Sequence, residues 1–401
     1  MKTAGIVAEY NPFHKGHALH LARTRAALGP DGAVVCVMSG SFVQRGEPAV
    51  FAKHVRAAAA VRCGADLVLE LPLPWALSSA EGFARGAVGL LAGLGCVDAL
   101  SFGSESGDAA RLRETAALLE DPALSPFIKE ELAGGLSFAA ARQRALERLT
   151  GRDFAWLKAP NDLLAVEYAK ALGRLGSRME LLPVRREGPA HDADEGAGEL
   201  LSASALRRRL LNGEAVDGSV PPEAMALYRA ESAAGRDPLF LRDAEQMLLA
   251  RLRTMGEADF AVLPDVSEGL EKRLARAAGT AGSVTAFLSA VKTKRYAAAR
   301  LRRILCCAWL GIRAGDAAGT PPYARVLALN ARGRLLLREA AERGSVPLLT
   351  KPAAVRGMSE AAQRLFALEV RATDLLALCR PDPAERRGGR EWERGAVIMD
   401  N

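Results

Sequence analysis

The six cysteines, at positions 36, 63, 96, 306, 307 and 379, include no Cys-x-x-Cys pair. Cys36, Cys63 and Cys96 lie in apolar surroundings, so reduced, buried thiols in a cytoplasmic protein are expected. No stretch of about 18 uncharged apolar residues occurs, which excludes a helical membrane span. Met1-Lys2-Thr3 runs straight into a strand-like segment, leaving no room for the apolar core of a signal peptide. No Gly-x-x-x-x-Gly-Lys-Ser/Thr string is present, so the usual phosphate-cradling loop is missing, and no Gly-x-Gly-x-x-Gly follows the first strand. The string "GSESG" at 103–107 resembles a nucleophile elbow only superficially, because its centre is Glu105 and not serine. Neither an internal repeat nor a coiled-coil heptad is visible.

What is present is enough for a sizeable core. The chain has 401 residues, 49% hydrophobic and 25% charged, which fits two or three domains. A formal net charge of +7 mildly favours a polyanionic partner.

The first 110 residues alternate strand-like runs (5–9, 33–38, 66–71 and 97–102) with helical patterns (17–27, 51–63 and 78–93). Such alternation predicts βαβ units and a doubly wound, Rossmann-like parallel sheet of the α/β class. In that architecture ligands bind beyond the carboxyl ends of the strands. The segments placed there are 10–16, 39–48, 72–75 and 103–107. A helical insertion is expected over about 108–178, then a strand at 180–184 and a basic helix capped by Ser202 or Ser204. The first domain therefore spans 1–215, with "DGSVPPE" at 217–223 as a linker. A basic, mainly helical region follows over 222–315, then a small α+β tail over 320–385 with a turn at Asn330 and Gly333. The polar end, 386–401, is expected to be poorly ordered.

The chain has only five histidines. Two of them, His14 and His17, sit at the mouth of the first strand-to-helix turn, with Lys15 and Gly16 between. A helix N-terminus offers free N–H groups and a positive dipole end to anions. Two imidazoles three residues apart can donate hydrogen bonds to phosphate oxygens whose charge grows in a transition state. A glycine between them lets a ligand approach the backbone. Histidines so spaced also serve as caps or in packing. A metal held by His14, His17 and His20 is disfavoured, since positions i, i+3 and i+6 spread round a helix and no Cys or Asp stands nearby. No metal site is expected. His20 is expected to pack on the helix and His54 to be solvated. Arg45 and Glu47 either clamp substrate or form a loop ion pair, while Asp66 and Glu70 are expected to cap or pair locally.

The string "EYNPFHKGH" after the first strand resembles the His-x-Gly-His signature of nucleotidyltransferases. The ordered set "GIVAEYNPFHKGHALHL", "VMSGSFVQRGEPAVFAK", "GADLVLELP", "FARGAV", "LSFGSESGD", "PNDLLAVEY", "SASALR" and "VKTKRYAAARLRRIL" resembles the bacterial tRNA(Met) cytidine acetate ligase family over residues 3 to roughly 340. That resemblance implies an ATP-dependent ligase with a nucleotidyltransferase domain, using ATP, Mg²⁺ riding on the triphosphate and acetate, and no acetyl-CoA. Acetate attacks the α-phosphate to give acetyl-adenylate and pyrophosphate. The wobble cytidine of elongator tRNA(Met) then takes the acetyl group, giving N4-acetylcytidine and AMP. It implies a catalytic pair, His14 and His17, within an ATP-binding stretch of Val7, Ala8, Glu9, Tyr10, Asn11, Pro12, Phe13, His14, Lys15, Gly16, His17, Ala18, Leu19 and His20. Gly103, Asn161 and Arg185 are carried over as further nucleotide contacts; without the resemblance Asn161 reads equally as a helix cap and Arg185 as a solvated strand end. His191-Asp192 matches a family His-Asp, although Ala190 replaces a frequent Tyr.

For the RNA, residues 271–310 carry nine Lys/Arg against one acid. On a helix beginning near Thr293, Tyr296, Arg300 and Arg303 would share a face. With Lys292, Lys294, Arg295, Arg207 and Arg208 they form the expected tRNA-binding set. Two rivals are weighed. A small-molecule adenylyltransferase leaves the basic C-terminal 200 or so residues without a purpose. A non-catalytic RNA-binding protein gives no reason for the intact His14, His17, Asn161 and Arg185.

Overall fold

Ala33–Ser39 is buried at every residue, as suits a strand covered on both faces of a parallel sheet. The computed structural model describes residues 1–186, 201–267, 269–293 and 296–399. Its strands are β1 (Thr3–Ala8), β2 (Ala33–Ser39), β3 (Phe42–Val43), β4 (Glu47–Pro48), β5 (Leu67–Leu71), β6 (Ala99–Ser104), β7 (Glu180–Arg185), β8 (Ala324–Leu329), β9 (Leu348–Leu349) and β10 (Val397–Ile398). The main sheet runs β10-β8-β5-β2-β1-β6-β7, with β9 beside β8; β3 and β4 form a separate small ribbon. From β5 to β7 every pairing is parallel. The chain leaves β1 toward β2 and β5 on one side and later fills β6 and β7 on the other. The carboxyl end of β1 is therefore the switch point where such sheets bind ligands. The doubly wound α/β expectation holds.

Alternate residues of a strand point to opposite faces, and β2 divides its side chains accordingly. Val34, Cys36 and Met38 pack with Leu21 of α1 (Lys15–Leu28) and with Ala57, Ala60 and Val61 of α2 (Lys53–Arg62). Val35 and Val37 face the other way, toward Phe83, Ala87 and Leu90 of α3 (Ala80–Gly93) and Ala165 and Val166 of α4 (Pro160–Arg174).

The C-terminal third departs from expectation. β8 lies antiparallel on β5, from Leu67 opposite Leu329 to Glu70 opposite Arg325, so the segment expected as a separate tail completes the main sheet. Asn330 caps the following helix by accepting the Gly333 N–H at 3.0 Å. A Cβ at Gly333 would lie 2.1 Å from the Asp66 carbonyl oxygen, so only glycine permits this approach. The end expected to be poorly ordered carries a helical turn, Arg390–Glu393, and β10. Buried charge fixes it there: Glu391 is 1% exposed and pairs with both Lys53 and Arg325. Glu70 joins them, 2.6 Å from Lys53 and 3.3 Å from Arg325, and Glu369 accepts the Leu73 N–H at 2.6 Å. His54, expected in solvent, is buried beside this cluster, and burial pushes its imidazole down to about 3.

The "DGSVPPE" segment is no free linker either. Ser219 and Val220 are buried, and the helix that follows, Pro222–Ala233, stacks its Tyr228 on Phe51 with centroids 4.0 Å apart. Among the described residues no helix is long and apolar enough to cross a membrane.

Candidate functional site

A cleft of about 440 Å³ opens at the carboxyl end of β1. Its floor is Ile6 to Asn11, and one wall is the first turn of α1. After β1 the chain turns at Tyr10, whose φ of 47° is left-handed, and reaches His14 in extended conformation. His14 caps α1: its Nδ1 accepts the Gly16 N–H at 3.0 Å, and Nδ1 of His17 accepts the His14 N–H at 3.3 Å. This reciprocal arrangement is a capping box built from imidazoles. A nitrogen that accepts cannot carry the proton of a neutral ring, so both rings are held as Nε2–H tautomers. The rings stack at 3.7 Å between centroids and 24° between planes. A Cβ on Gly16 would stand 2.9 Å from Cε1 of His14, so the glycine is what lets that ring fold back. Capping occupies Nδ1 of each ring and so does not by itself exclude a second role for the other ring nitrogen.

The cleft wall includes Val7, Ala8, Glu9, Tyr10, Asn11, His14, Gly16, His17, Leu19 and His20 of the expected stretch, together with Gly103, Asn161 and Arg185. Four expected residues do not line it. Pro12 and Phe13 are buried, and the Phe13 N–H donates to the Tyr228 hydroxyl at 2.9 Å. Ala18 packs into the core beneath α1, and Lys15 sits on the first turn outside the wall. For Lys15 and Ala18 the reason is helical: only one side of that turn faces the sheet's edge. Tyr10 and Asn11 line the wall mainly as scaffold. Tyr10 packs edge-on against His17 at 4.9 Å, and Asn11 Oδ1 accepts the Val50 N–H at 2.8 Å.

His20 hydrogen bonds to Ser101 at 3.0 Å, and burial, with the Arg186 charge adding to it, lowers its imidazole to about 4. It is neutral at pH 7. Glu9 accepts the Gln44 N–H at 2.7 Å, and burial holds its carboxyl above the usual range against the pull of Arg207, Arg45 and Arg56. Arg45 lines the cleft, while Glu47 lies 3.4 Å from Arg302 and 3.8 Å from Arg207, so that carboxylate serves a loop ion pair. Asp66 pairs with Arg25 at 2.7 Å.

Two residues outside the expected set position one inside it. Asn161 is not a cap: α4 begins at Pro160, and Asn161 Nδ2 donates to Glu105 Oε1 at 2.6 Å. Glu105 also accepts the Asp162 N–H at 2.9 Å, and Asp162 accepts the N–H groups of Glu105 and Ser106 at 3.1 and 3.0 Å. The only signal for this lock was an acid at the centre of "GSESG" and another in "PND". Arg185 ends β7 at the cleft, its carbonyl accepting from Arg23 at 3.1 Å.

The expected RNA-binding set is dispersed. Arg207, in the helix Ala203–Leu211, turns into the cleft and donates to the Asn11 carbonyl at 2.9 Å, while Arg208 is exposed. The helix expected from Thr293 begins at Ala298: Lys292, which closes the helix Val284–Val291, and Ala297, which precedes the next, both have extended backbone. Arg300 lies over the Tyr296 ring at 5.0 Å and donates to the Asp265 carbonyl, and Arg303 pairs with Asp265 at 3.0 Å. Lys292 is exposed. Lys294, Arg295 and the His191-Asp192 pair lie outside the described residues.

Chemically, the cleft offers two stacked imidazoles at a helix N-terminus, a locked amide, an arginine-rich rim and no serine or cysteine nucleophile in its floor. A family model described as HIGH Nucleotidyl Transferase matches residues 1–391. The tRNA(Met) cytidine acetate ligase of Acetivibrio thermocellus is 38% identical, with all of both chains covered. That of Caldicellulosiruptor saccharolyticus is 39% identical over 94% of each chain. Among solved structures, apo Thermotoga maritima TmcAL matches with a TM-score of 0.96 at 33% identity, covering all of both chains. The same protein bound with alpha-thio ATP matches at 0.93, again over all of both chains.

Proposed function

This chain belongs to the HIGH nucleotidyl transferases and, among them, to the tRNA(Met) cytidine acetate ligases, and on that premise we propose that its cleft activates acetate with ATP and passes the acetyl group to elongator tRNA(Met). ATP binds with its triphosphate over the start of α1. The acetate carboxylate is already anionic, so the first step needs charge stabilisation and alignment more than a protein nucleophile. Acetate attacks the α-phosphate, the bond to the bridging oxygen breaks, and pyrophosphate leaves. The Nε2–H groups of His14 and His17 donate to the oxygens on which negative charge accumulates. The amine of the wobble cytidine then attacks the acetyl carbon, AMP departs, and a proton is lost to leave N4-acetylcytidine. Acetyl-CoA has no place in this sequence, because the adenylate is the activated acetyl donor.

The observation that carries this proposal is the stacked His14–His17 pair, at 3.7 Å, with each Nδ1 occupied by a backbone N–H. A divalent cation fits the site as a passenger on the nucleotide. Among the described residues no group of three His, Cys, Asp or Glu side chains is placed to cage one. Mg²⁺ on the phosphate oxygens would neutralise part of their charge. We place Asn161 at the adenosine and Arg185 at the far rim. The RNA lies over the helical region beyond Pro222, where Lys292 and Tyr296 are presented. Six free thiols support a reducing, cytoplasmic setting.

Acetate-dependent ATP–pyrophosphate exchange tests the first half-reaction. Mass analysis of tRNA(Met) incubated with ATP and acetate tests the second. Exchange without acetate, or no acetyl group on the tRNA, overturns the proposal.

A further inference from the structure

The helix Leu270–Thr280 turns Leu270, Leu274, Ala277 and Ala278 into the core. Its other face is left to Lys272, Arg273 and Arg276, all exposed. The three cations line one open groove of about 860 Å³, closed on its far side by Ala290, Thr293 and Tyr296. Arg273 is used internally, since Nε and Nη2 donate to the Ala290 carbonyl at 3.1 and 2.9 Å and hold the two helices together. Lys272 and Arg276 are not engaged in this way. Among the described residues neither side chain takes a hydrogen bond or an ion pair. The helix has one carboxylate, Glu271 in its first turn, and that residue is not in the groove. An unpaired cationic groove of this size is complementary to a polyanion and not to an acid-poor protein surface.

Its position narrows the partner. Tyr296 leads directly into the helix Ala298–Leu310, where Arg302 donates to the Arg45 carbonyl at 3.0 Å, and Arg45 lines the ATP cleft. Gly46 touches the backbone of Arg302 and Arg303, so the cleft rim and this helix are in contact. From Tyr296 to Arg302 the chain spans at most roughly 20 Å. By contrast Arg300 and Arg303, which look equally basic in the sequence, are committed to the carbonyl and carboxylate of Asp265.

We propose that the Lys272–Arg276 groove is the backbone dock of the RNA substrate, gripping phosphodiesters next to the nucleotide presented to the cleft. The inference rests on the tRNA-acetylating function above. Phosphate contacts of this kind give affinity and register, not base identity. Each contact to single-stranded RNA contributes roughly 0.7 to the slope of log K against log salt.

The test uses the full chain, unmodified tRNA(Met) and two double variants, Lys272→Glu/Arg276→Glu and Lys272→Gln/Arg276→Gln. Binding by filter retention across a salt series should weaken by about tenfold or more in the glutamate variant. In the glutamine variant the salt slope should flatten by about 1.4 for two lost phosphate contacts. Acetate-dependent pyrophosphate exchange, which needs no RNA, reports that each variant is folded. Wild-type affinity and slope in both variants overturn the groove. A wild-type enzyme that leaves tRNA(Met) unacetylated overturns the underlying function instead, so the two failures are distinct.

Discussion

The Glu105 carboxylate accepts the Asn161 side-chain amide at 2.6 Å and the Asp162 backbone N–H at 2.9 Å. Asp162 answers by accepting the N–H groups of Glu105 and Ser106. The turn after β6 and the start of α4 are therefore locked to each other. The direction in which Asn161 faces the cleft is set by a residue that is not in the cleft wall.

Replacing Glu105 by alanine leaves the Asp162 N–H and the Asn161 amide without their acceptor, which costs on the order of 1–3 kcal/mol. The expected result is a KM for ATP raised about tenfold in pyrophosphate exchange, with a smaller change in kcat. A KM equal to wild type would mean that Asn161 needs no lock.

The capping role of the histidines and the phosphate role proposed for them can be separated. His14→Asn keeps an N-cap acceptor and should leave urea stability within about 0.5 kcal/mol of wild type, while His14→Ala costs about 1 kcal/mol. Both variants lose the proposed phosphate donor, so exchange should fall roughly 100-fold or more in each. His17→Ala should abolish adenylate formation yet still bind tRNA. If His14→Asn exchanges pyrophosphate at the wild-type rate, the imidazole is a cap and nothing more.

Glu391 neutralises two buried cations, Lys53 and Arg325, from a segment near the chain's end. Glu391→Ala leaves both undercompensated and should lower the unfolding free energy by about 3–5 kcal/mol. Urea titration monitored by circular dichroism measures this. Loss of less than about 1 kcal/mol would show the cluster to be dispensable.

Acid should act through His54. Its imidazole titrates at about 6.5 unfolded and about 3 folded, and its Nε2 is buried without a partner among the described residues. Between those values the unfolded chain binds the extra proton. The contribution is therefore complete above pH 6.5 and is lost as pH falls toward 3, at about 1.4 kcal/mol per unit. The stability of wild type relative to His54→Leu should fall by that slope between about pH 6 and 4.5. Parallel pH profiles for the two proteins would contradict it.

How much of this could be read from the chain alone depends on the range of the interaction. β1, β2, β5 and β6 were legible because their apolar runs and the intervening helices are local patterns. His14, Gly16 and His17 were legible because a helix start confines its chemistry to a few consecutive residues. The pairing of β8 with β5 joins positions about 260 apart, and nothing in "ARVLAL" names its partner. His54 was misplaced because an alanine-rich helix with flanking Lys53 and Arg56 resembles a solvated one. Both cations are in fact buried, Lys53 in the acidic cluster and Arg56 against the carbonyls of Phe51 and Ser39. Arg300 and Arg303 looked like RNA contacts for the same reason: a sequence lists charges without saying which carbonyl or carboxylate has already claimed them.

The antiparallel seating of β8 on β5 also sets an order of events during synthesis. Until residues 324–329 leave the ribosome, β5 has no neighbour on that side. Its Leu-Val-Leu-Glu-Leu edge then offers bare N–H and C=O groups to any passing strand. The cleft at the end of β1 is lined by residues no later than Arg207, so the nascent chain carries His14 and His17 well before it can protect its own sheet. Chains that stall or are clipped ahead of residue 324 should therefore be removed by aggregation or proteolysis, not persist as nucleotide-binding fragments.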